Sequence, residues 1–188
     1  AAAGAATILR WLDRGGPGQL PEDMAALLIH AINPYGWAWA HRINENGIDL
    51  NRNFPDRGKP LPPNPDYVDI HELLLAATMD DEGLDRFVQG FHALTESKGM
   101  NAALTGITSG QFNHPDGLSF GGTALSWSGE TLFAIARAHL GQAERILHID
   151  WHTGIGEYGQ AHFILDEPKT SDTYSLLSAW WPDHAIHC

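Results

Sequence analysis

The sequence predicts an α/β fold in which helices cover both faces of a β-sheet. Residues 24–32 form a continuous apolar run of the kind found in strands that are buried on both sides. Residues 145–151 form a second apolar segment, which we also predict to be a strand, and residues 160–165 a third. Between the first two lie segments 67–78 and 83–98, which carry apolar residues at helical spacing.

The remaining elements follow from helix formers and breakers. Residues 1–14 are rich in helix formers, and the glycines and proline of residues 15–18 end that helix. Five prolines rule out regular structure across residues 55–65. The glycine-rich, polar residues 105–123 predict a long loop, which in a compact domain is usually functional or mobile. Ser126 then predicts the N-cap of a helix that ends near residue 140.

Composition narrows the class of protein and its partners. The 188 residues suffice for one domain, and we predict a single, partial catalytic domain over residues 1–188. A formal net charge of -12 argues against nucleic acids and anionic membrane surfaces as partners. The one cysteine, Cys188, allows no internal disulfide, which suits a reducing compartment, and we predict a cytoplasmic location.

The stretch from Gly47 to Phe54 is the first candidate for binding chemistry. It brings Asn51 and Arg52 together, and Arg42 lies nine residues before Asn51. A guanidinium group presents a fork of donors that suits a carboxylate or phosphate, and an asparagine amide adds a further donor. The alternative from these residues alone is an arginine in an internal ion pair near a turn.

A second polar group lies in the predicted strand 145–151 and just beyond it. Side chains alternate along a strand, so His148, Asp150 and His152 are expected on one face. Histidine is the commonest metal ligand, and a carboxylate two residues away could orient His152. The alternative is a pair of hydrogen-bonded histidines in the core, which we favour for His148. For His152 we favour function, because a glycine-rich turn follows it.

A complete zinc site cannot be assembled from the residues alone. A catalytic zinc normally needs three protein ligands, and the sequence contains neither H-x-x-E nor H-E-x-x-H. His71 and Glu72 are neighbours that point apart on a helix, and His92 lies on an amphipathic helix and is expected to be solvated.

Three motifs together resemble the zinc carboxypeptidase superfamily. They are Asn33-Pro34-Tyr35-Gly36, Asp49-Leu50-Asn51-Arg52-Asn53-Phe54 and Asp150-Trp151-His152-Thr153-Gly154. The superfamily includes carboxypeptidase A-like peptidases and the aspartoacylase and succinylglutamate desuccinylase amidohydrolases. The loop that contains Ser109 to Leu118 is most similar to a bacterial branch of poorly defined substrate. The resemblance implies a three-layer α/β/α fold with a mixed central sheet, and we expect the motifs to converge at one edge of that sheet.

The resemblance also implies roles for individual residues. His152 matches the later of the family's zinc-binding histidines, with Asp150 behind it. Asn51 and Arg52 match the pair that holds a substrate carboxylate, and Arg42 matches the arginine that polarises the scissile carbonyl. The implied function is zinc-dependent hydrolysis of a peptide or amide bond next to a free carboxylate. The open alternatives are an N-acyl amino acid amidohydrolase and a non-catalytic carboxylate-binding domain.

Two parts of the family's site have no match in this sequence. The early H-x-x-E zinc ligands and the general-base glutamate are missing, so the chain resembles an internal fragment truncated at both ends. Since His152 is then the one zinc ligand that the resemblance identifies, we expect the chain alone to bind zinc weakly and to be inactive.

Overall fold

The computed structural model describes residues 2–76, 80–153 and 157–188, and it is mainly helical. In these residues the chain forms seven α-helices, two short 3-10 helices and a single pair of two-residue strands. The prediction of a three-layer α/β/α fold with a mixed central sheet is therefore wrong. The expected convergence of three motifs at the edge of that sheet loses its structural basis with it.

The helices and strands have the following bounds. The α-helices are α1 (Ala2–Asp13), α2 (Pro34–Trp39), α3 (Tyr67–Ala76), α4 (Asp81–Lys98), α5 (Met100–Thr108), α6 (Trp127–Leu140) and α7 (Asp172–Trp180). The 3-10 helices are Gly16–Gln19 and Leu50–Arg52, and the strands are β1 (Phe163–Ile164) and β2 (Ile186–His187). Helices α1, α3, α4 and α6 lie close to the predicted ones, whereas α2, α5 and α7 were not predicted, and α5 includes the first residues of the predicted loop 105–123.

The two long predicted strands fail for a common reason. Residues 24–32 and 145–151 have no strand assignment, and in the described chain their backbones make no strand-pairing hydrogen bond, the contact from the Met24 N–H to the Pro21 carbonyl being a local turn. An apolar run becomes a strand only where another segment satisfies its N–H and C=O groups. Large side chains in both runs are exposed instead, including Met24, Ile146 and Leu147. The turn predicted after the first run is the start of α2, with Asn33 as its N-cap.

The chain divides into two compact units. The smaller unit contains Ala1–Asp13 and Ile149–Cys188, and the larger one contains Arg14–His148. In the smaller unit β1 and β2 pair in parallel, with Phe163 opposite Ile186. Compact units are defined by contacts and do not by themselves define domains, so the single catalytic domain over residues 1–188 stays a prediction.

The core of the larger unit lies among α3, α4 and α5. Tyr67 and Ile70 of α3 are fully buried, and Leu94 of α4 and Ala103 of α5 pack with them. Partly buried apolar residues surround this cluster; they are Leu73, Leu74, Phe91 and Ile107. The three helices follow one another with short connections, so the core is built from neighbouring segments of sequence.

Side-chain caps begin several helices of this unit. The Asp80 carboxylate accepts a hydrogen bond from the Gly83 N–H at the start of α4. Ser126 accepts from Gly129 at the start of α6, which confirms the predicted N-cap. Such caps satisfy amide groups that have no partner within the helix.

The lengths and compositions of the helices bear on membrane insertion. In residues 2–76, 80–153 and 157–188, none of the helices combines the length and the apolar character needed to cross a bilayer.

Candidate functional site

A buried aspartate organises the first candidate site. Asp49 is 2% exposed and precedes the 3-10 helix Leu50–Arg52. Its Oδ2 accepts a hydrogen bond from Arg42 Nε at 2.8 Å, and its Oδ1 accepts from the backbone N–H of Asn51 at 3.1 Å. One buried carboxylate therefore holds both the Arg42 side chain and the turn that carries Asn51 and Arg52.

Arg42 is anchored at its base and free at its tip. Its side chain is 62% exposed, and only Nε contacts Asp49. Within the described residues, the two terminal nitrogens have no hydrogen-bond partner. The alternative of an internal ion pair concerned the arginine of residues 47–54, which is Arg52, but Arg42 is the arginine that pairs with Asp49. This ion pair leaves the four N–H bonds of Nη1 and Nη2 available to an anion.

Arg52 is held by backbone carbonyls rather than by an acid. Its Nε donates to the Thr108 carbonyl at 3.1 Å, its Nη2 donates to the same carbonyl, and its Nη1 donates to the Asn51 carbonyl at 3.0 Å. The aliphatic part lies over Gly110, where an added Cβ would come within 2.4 Å of Arg52 Cδ. These contacts fix the guanidinium without neutralising its charge, and each Nη retains one further N–H.

Asn51 completes the first site. Its side chain is exposed and makes no hydrogen bond within the described part of the chain. The amide is therefore available as a donor next to the anchored guanidinium of Arg52. We call Arg42, Asn51 and Arg52, held around Asp49, the arginine cluster.

Two buried asparagines that the sequence did not single out support this cluster. Asn53 is fully buried, and its Nδ2 donates to the carbonyls of Gly121 and Ala124 at 2.9 and 2.8 Å. Its Oδ1 accepts from the Ser126 N–H at 2.7 Å. Asn44, 2% exposed, closes the preceding turn through its Oδ1. The segment that Asn53 contacts lies some 70 residues further along the chain, and no periodicity in the sequence relates the two. The one indication of a role for Asn53 was its place in the polar run Asn51-Arg52-Asn53.

Asp150 and His152 of the second predicted group belong to the smaller unit, and His148 is the last residue of the larger one. His152 Nε2 lies 2.8 Å from Asp150 Oδ2, and both side chains are more than half exposed. The two residues are not in a strand, so the expected shared strand face with His148 is wrong. The pairing of Asp150 with His152 is nevertheless present, and it leaves Nδ1 of His152 as the nitrogen available to a ligand.

The described residues do not complete a zinc site at His152. Among them, one group brings three potential metal ligands together, and it consists of His71, His114 and Asp116. His152 and Asp150 belong to no such group in the described ranges. One imidazole with an orienting carboxylate fits a single zinc ligand but not a closed or catalytic site.

Comparison with known sequences defines the family. A family model described as "Protein of unknown function (DUF2817)" matches residues 2–188. The chain therefore belongs to the DUF2817 family. No curated protein and no solved structure matches it. The resemblance to zinc carboxypeptidases stays a prediction drawn from the three motifs.

Proposed function

We propose that this chain binds the free carboxylate of a peptide or an N-acyl amino acid and serves in hydrolysis of the adjacent amide bond. One observation carries the proposal: buried Asp49 holds Arg42 and the Asn51–Arg52 turn together and leaves donors of that cluster unused. The net charge of -12 means that most of the surface repels anions. The anchored guanidinium groups, which keep free N–H groups, form a local positive site where an anion can bind.

In this proposal the residues of the cluster have different roles. Arg52 and the Asn51 amide bind the terminal carboxylate and so set the position of the amide bond. Arg42 directs its two free terminal nitrogens at the carbonyl oxygen, where negative charge develops during attack by water. Asp49 acts through Arg42 and Asn51 as a positioning residue.

The requirement for zinc is proposed from the resemblance to zinc carboxypeptidases, and the described residues do not form a complete zinc site at His152. His152 would be one ligand, with Asp150 fixing the ring so that Nδ1 faces the ion. When bound, a zinc ion supplies a Lewis acid and an activated water. Because the described residues provide one ligand there, we assign no step of the reaction to it. We also propose a cytoplasmic location, which suits the single cysteine.

Binding without hydrolysis is the second candidate function. The incomplete ligand set at His152 favours it, since Arg52 and Asn51 could hold a carboxylate without any metal. An N-acyl amino acid amidohydrolase would use the same carboxylate contacts and differs from a peptidase in the acyl group that it accepts.

Calorimetric titration with matched ligands tests the proposal. An N-acetyl amino acid and its C-terminal amide differ only in the group that the arginine cluster is proposed to bind. Because hydrogen bonds to charged groups contribute about 1.5–3 kcal/mol, Arg52→Gln should weaken binding of the acid by roughly 10–100-fold. Binding of the amide should already be weak and should change little.

The control is Arg137→Gln, which removes one positive charge from the solvent-accessible side of α6. It should leave the affinity for the acid unchanged. Equal affinity of the wild-type chain for acid and amide would refute carboxylate recognition. Product analysis with added zinc then tests the hydrolase, since cleavage of the acid would favour it over the binding domain. Binding without cleavage is expected of this chain under both functions, because the described residues supply one ligand at His152.

A further inference from the structure

Helix α3 and the loop after α5 bring three potential metal ligands together. His71 lies on α3, and His114 and Asp116 lie in the turn formed by residues 114–117. One ligand atom of each residue lies within 4.8 Å of those of the other two. We call this group the His-His-Asp cluster, and it lies in the larger unit.

His71 is the buried member of the cluster. It is 7% exposed, and its Nε2 lies 3.6 Å from Asp116 Oδ1, too far for a good hydrogen bond. Its Nδ1 is buried and has no hydrogen-bond partner in the described chain. A buried polar atom without a partner is rare in folded proteins. The other ring nitrogen, Nε2, is the one that approaches Asp116, so Nε2 is the nitrogen available to an ion shared with that carboxylate.

His114 approaches His71 from the loop. The centroids of the two rings are 4.0 Å apart, with an angle of 43° between the ring planes. Two imidazoles at this distance and a carboxylate on the same side form a nitrogen and oxygen donor set. Such a set suits zinc and the neighbouring divalent transition metals better than calcium or magnesium, which prefer oxygen alone.

Gln111 fixes the turn that carries His114 and Asp116. This residue is 3% exposed, and its Oε1 accepts hydrogen bonds from the N–H groups of Asn113 and His114 at 3.0 and 2.8 Å. Its Nε2 donates to the His114 carbonyl at 2.7 Å. The Gly117 N–H donates to that same carbonyl and closes the turn. The backbone at His114 is therefore held in place before any ligand binds.

The far end of the loop is tied to the helices. The N–H of Leu118 donates to the hydroxyl of Tyr67, a fully buried residue one turn before His71 on α3. The hydroxyl of Ser119 donates to the Ile107 carbonyl on α5 at 2.9 Å. Together with the Gln111 contacts, these hydrogen bonds hold the loop against the helices on both sides of the cluster.

We propose that His71, His114 and Asp116 bind one divalent transition-metal ion such as Zn²⁺ through one imidazole nitrogen from each histidine and one carboxylate oxygen. Metal–ligand bonds of 2.0–2.2 Å place two ligands of a tetrahedral ion about 3.4 Å apart. The 3.6 Å between His71 and Asp116 is already close to that separation. Rotation of the exposed Asp116 and the half-buried His114 can close the remaining distances, which reach 4.8 Å.

Three protein ligands leave a fourth position open, as in catalytic zinc sites. The ion would also join α3 to the loop whose next residues reach the arginine cluster. The Phe120 carbonyl accepts from the N–H of Asp49 at 2.8 Å, and the Gly121 carbonyl accepts from Asn53. The inference does not depend on the proposed function, because metal binding is measured without substrate.

Metal titration of the chelator-treated chain tests the inference. Zn²⁺ binding should reach one ion per chain by competition with a chromophoric chelator, and Co²⁺ should give the visible absorption of a low-symmetry site. Removal of only an outer hydrogen-bond partner of a metal ligand weakens metal binding by about 10–100-fold. His114→Ala and Asp116→Asn each remove a ligand itself, so each should weaken binding by more than that. Both residues are outside the buried core, so the variants should keep the circular dichroism of the wild type.

Two control variants locate the ion. His92→Ala removes an exposed imidazole from α4 and should bind the metal like the wild type. His152→Ala should also retain the ion, since His152 is not a member of the His-His-Asp cluster. If the wild-type chain binds no metal, or if His152→Ala loses the ion while His114→Ala and Asp116→Asn keep it, the inference is wrong. Neither of those results would bear on recognition of a carboxylate.

Discussion

Asn51 and Asn53 differ by two positions in sequence and have opposite surroundings. Asn53 is fully buried and makes three side-chain hydrogen bonds, whereas the Asn51 side chain is exposed. Asn53→Ala removes three buried side-chain hydrogen bonds and leaves the Ser126 N–H without a partner, while Arg57 still donates to both carbonyls, and we expect it to lower the free energy of unfolding by about 2–4 kcal/mol. Asn51→Ala should change it by less than about 0.5 kcal/mol. Urea denaturation of the two variants measures this difference, and equal losses would contradict the assigned roles.

Asp49 links stability to binding. Asp49→Asn keeps the size of the side chain but removes the charge that Arg42 contacts. Since Arg42 is mostly exposed, we expect a modest loss of about 1–2 kcal/mol in the free energy of unfolding. The affinity for the acid ligand should fall as well, because an amide has one acceptor oxygen where the carboxylate has two, so either Arg42 or the Asn51–Arg52 turn loses its contact. Unchanged affinity in a folded Asp49→Asn protein would mean that Asp49 does not position the cluster.

At the scale of elements, two helical glycines test how closely α3, α4 and α5 approach one another. A Cβ at Gly106 would lie 2.5 Å from Cδ1 of the fully buried Ile70 and 3.1 Å from the Asp66 carbonyl oxygen. Gly106→Ala should therefore destabilise the protein by about 1–3 kcal/mol, despite the better helix propensity of alanine. At Gly90 the nearest atom is the mobile end of the half-buried Leu73, so Gly90→Ala should be neutral or stabilising. Thermal denaturation compares them, and a stable Gly106→Ala protein would refute the close packing.

A salt bridge between α3 and α4 gives a pH-dependent prediction. The hydrogen bond from Lys98 to Asp69 raises the pKa of Lys98 above its ordinary value. A raised pKa means that the contribution to stability is complete below the ordinary value of about 10.4 and is lost as pH rises through the folded-state pKa. An NMR titration of the lysine side chain should give a lower pKa for Lys98 in Asp69→Asn than in the wild type. Identical titrations would show that the bridge does not persist in solution.

Helices α1, α3, α4 and α6 could be predicted from sequence, whereas α2, α5, α7 and the absence of a large sheet could not. The glycines after residue 14, the apolar spacing of residues 83–98 and the Ser126 cap are local signals, and α1, α4 and α6 follow them. A strand depends on partners that are distant in sequence. Residues 24–32 and 145–151 carry the composition of strands but have no paired neighbour in the described chain. Periodicity and composition cannot reveal that difference.

At the scale of the whole molecule, the sequence identified the residues of the arginine cluster but not what holds them. Arg42, Asn51 and Arg52 were predicted from residue type and resemblance, while the buried Asp49 between them depends on a hydrogen bond that spans seven residues. The His-His-Asp cluster was missed because His71 was compared with its neighbour Glu72. Its partners lie more than 40 residues further on, in a loop without a known metal-binding spacing.

Carboxylate recognition is the central claim, and NMR spectroscopy tests it most directly. The arginine Nε–H and asparagine side-chain resonances of the ¹⁵N-labelled chain can be followed while an N-acetyl amino acid is added. We predict saturable shifts of the Arg42, Asn51 and Arg52 side-chain resonances with the acid, and no such shifts with its C-terminal amide. Shifts of the same size with the amide, or shifts confined to other residues, would contradict the claim.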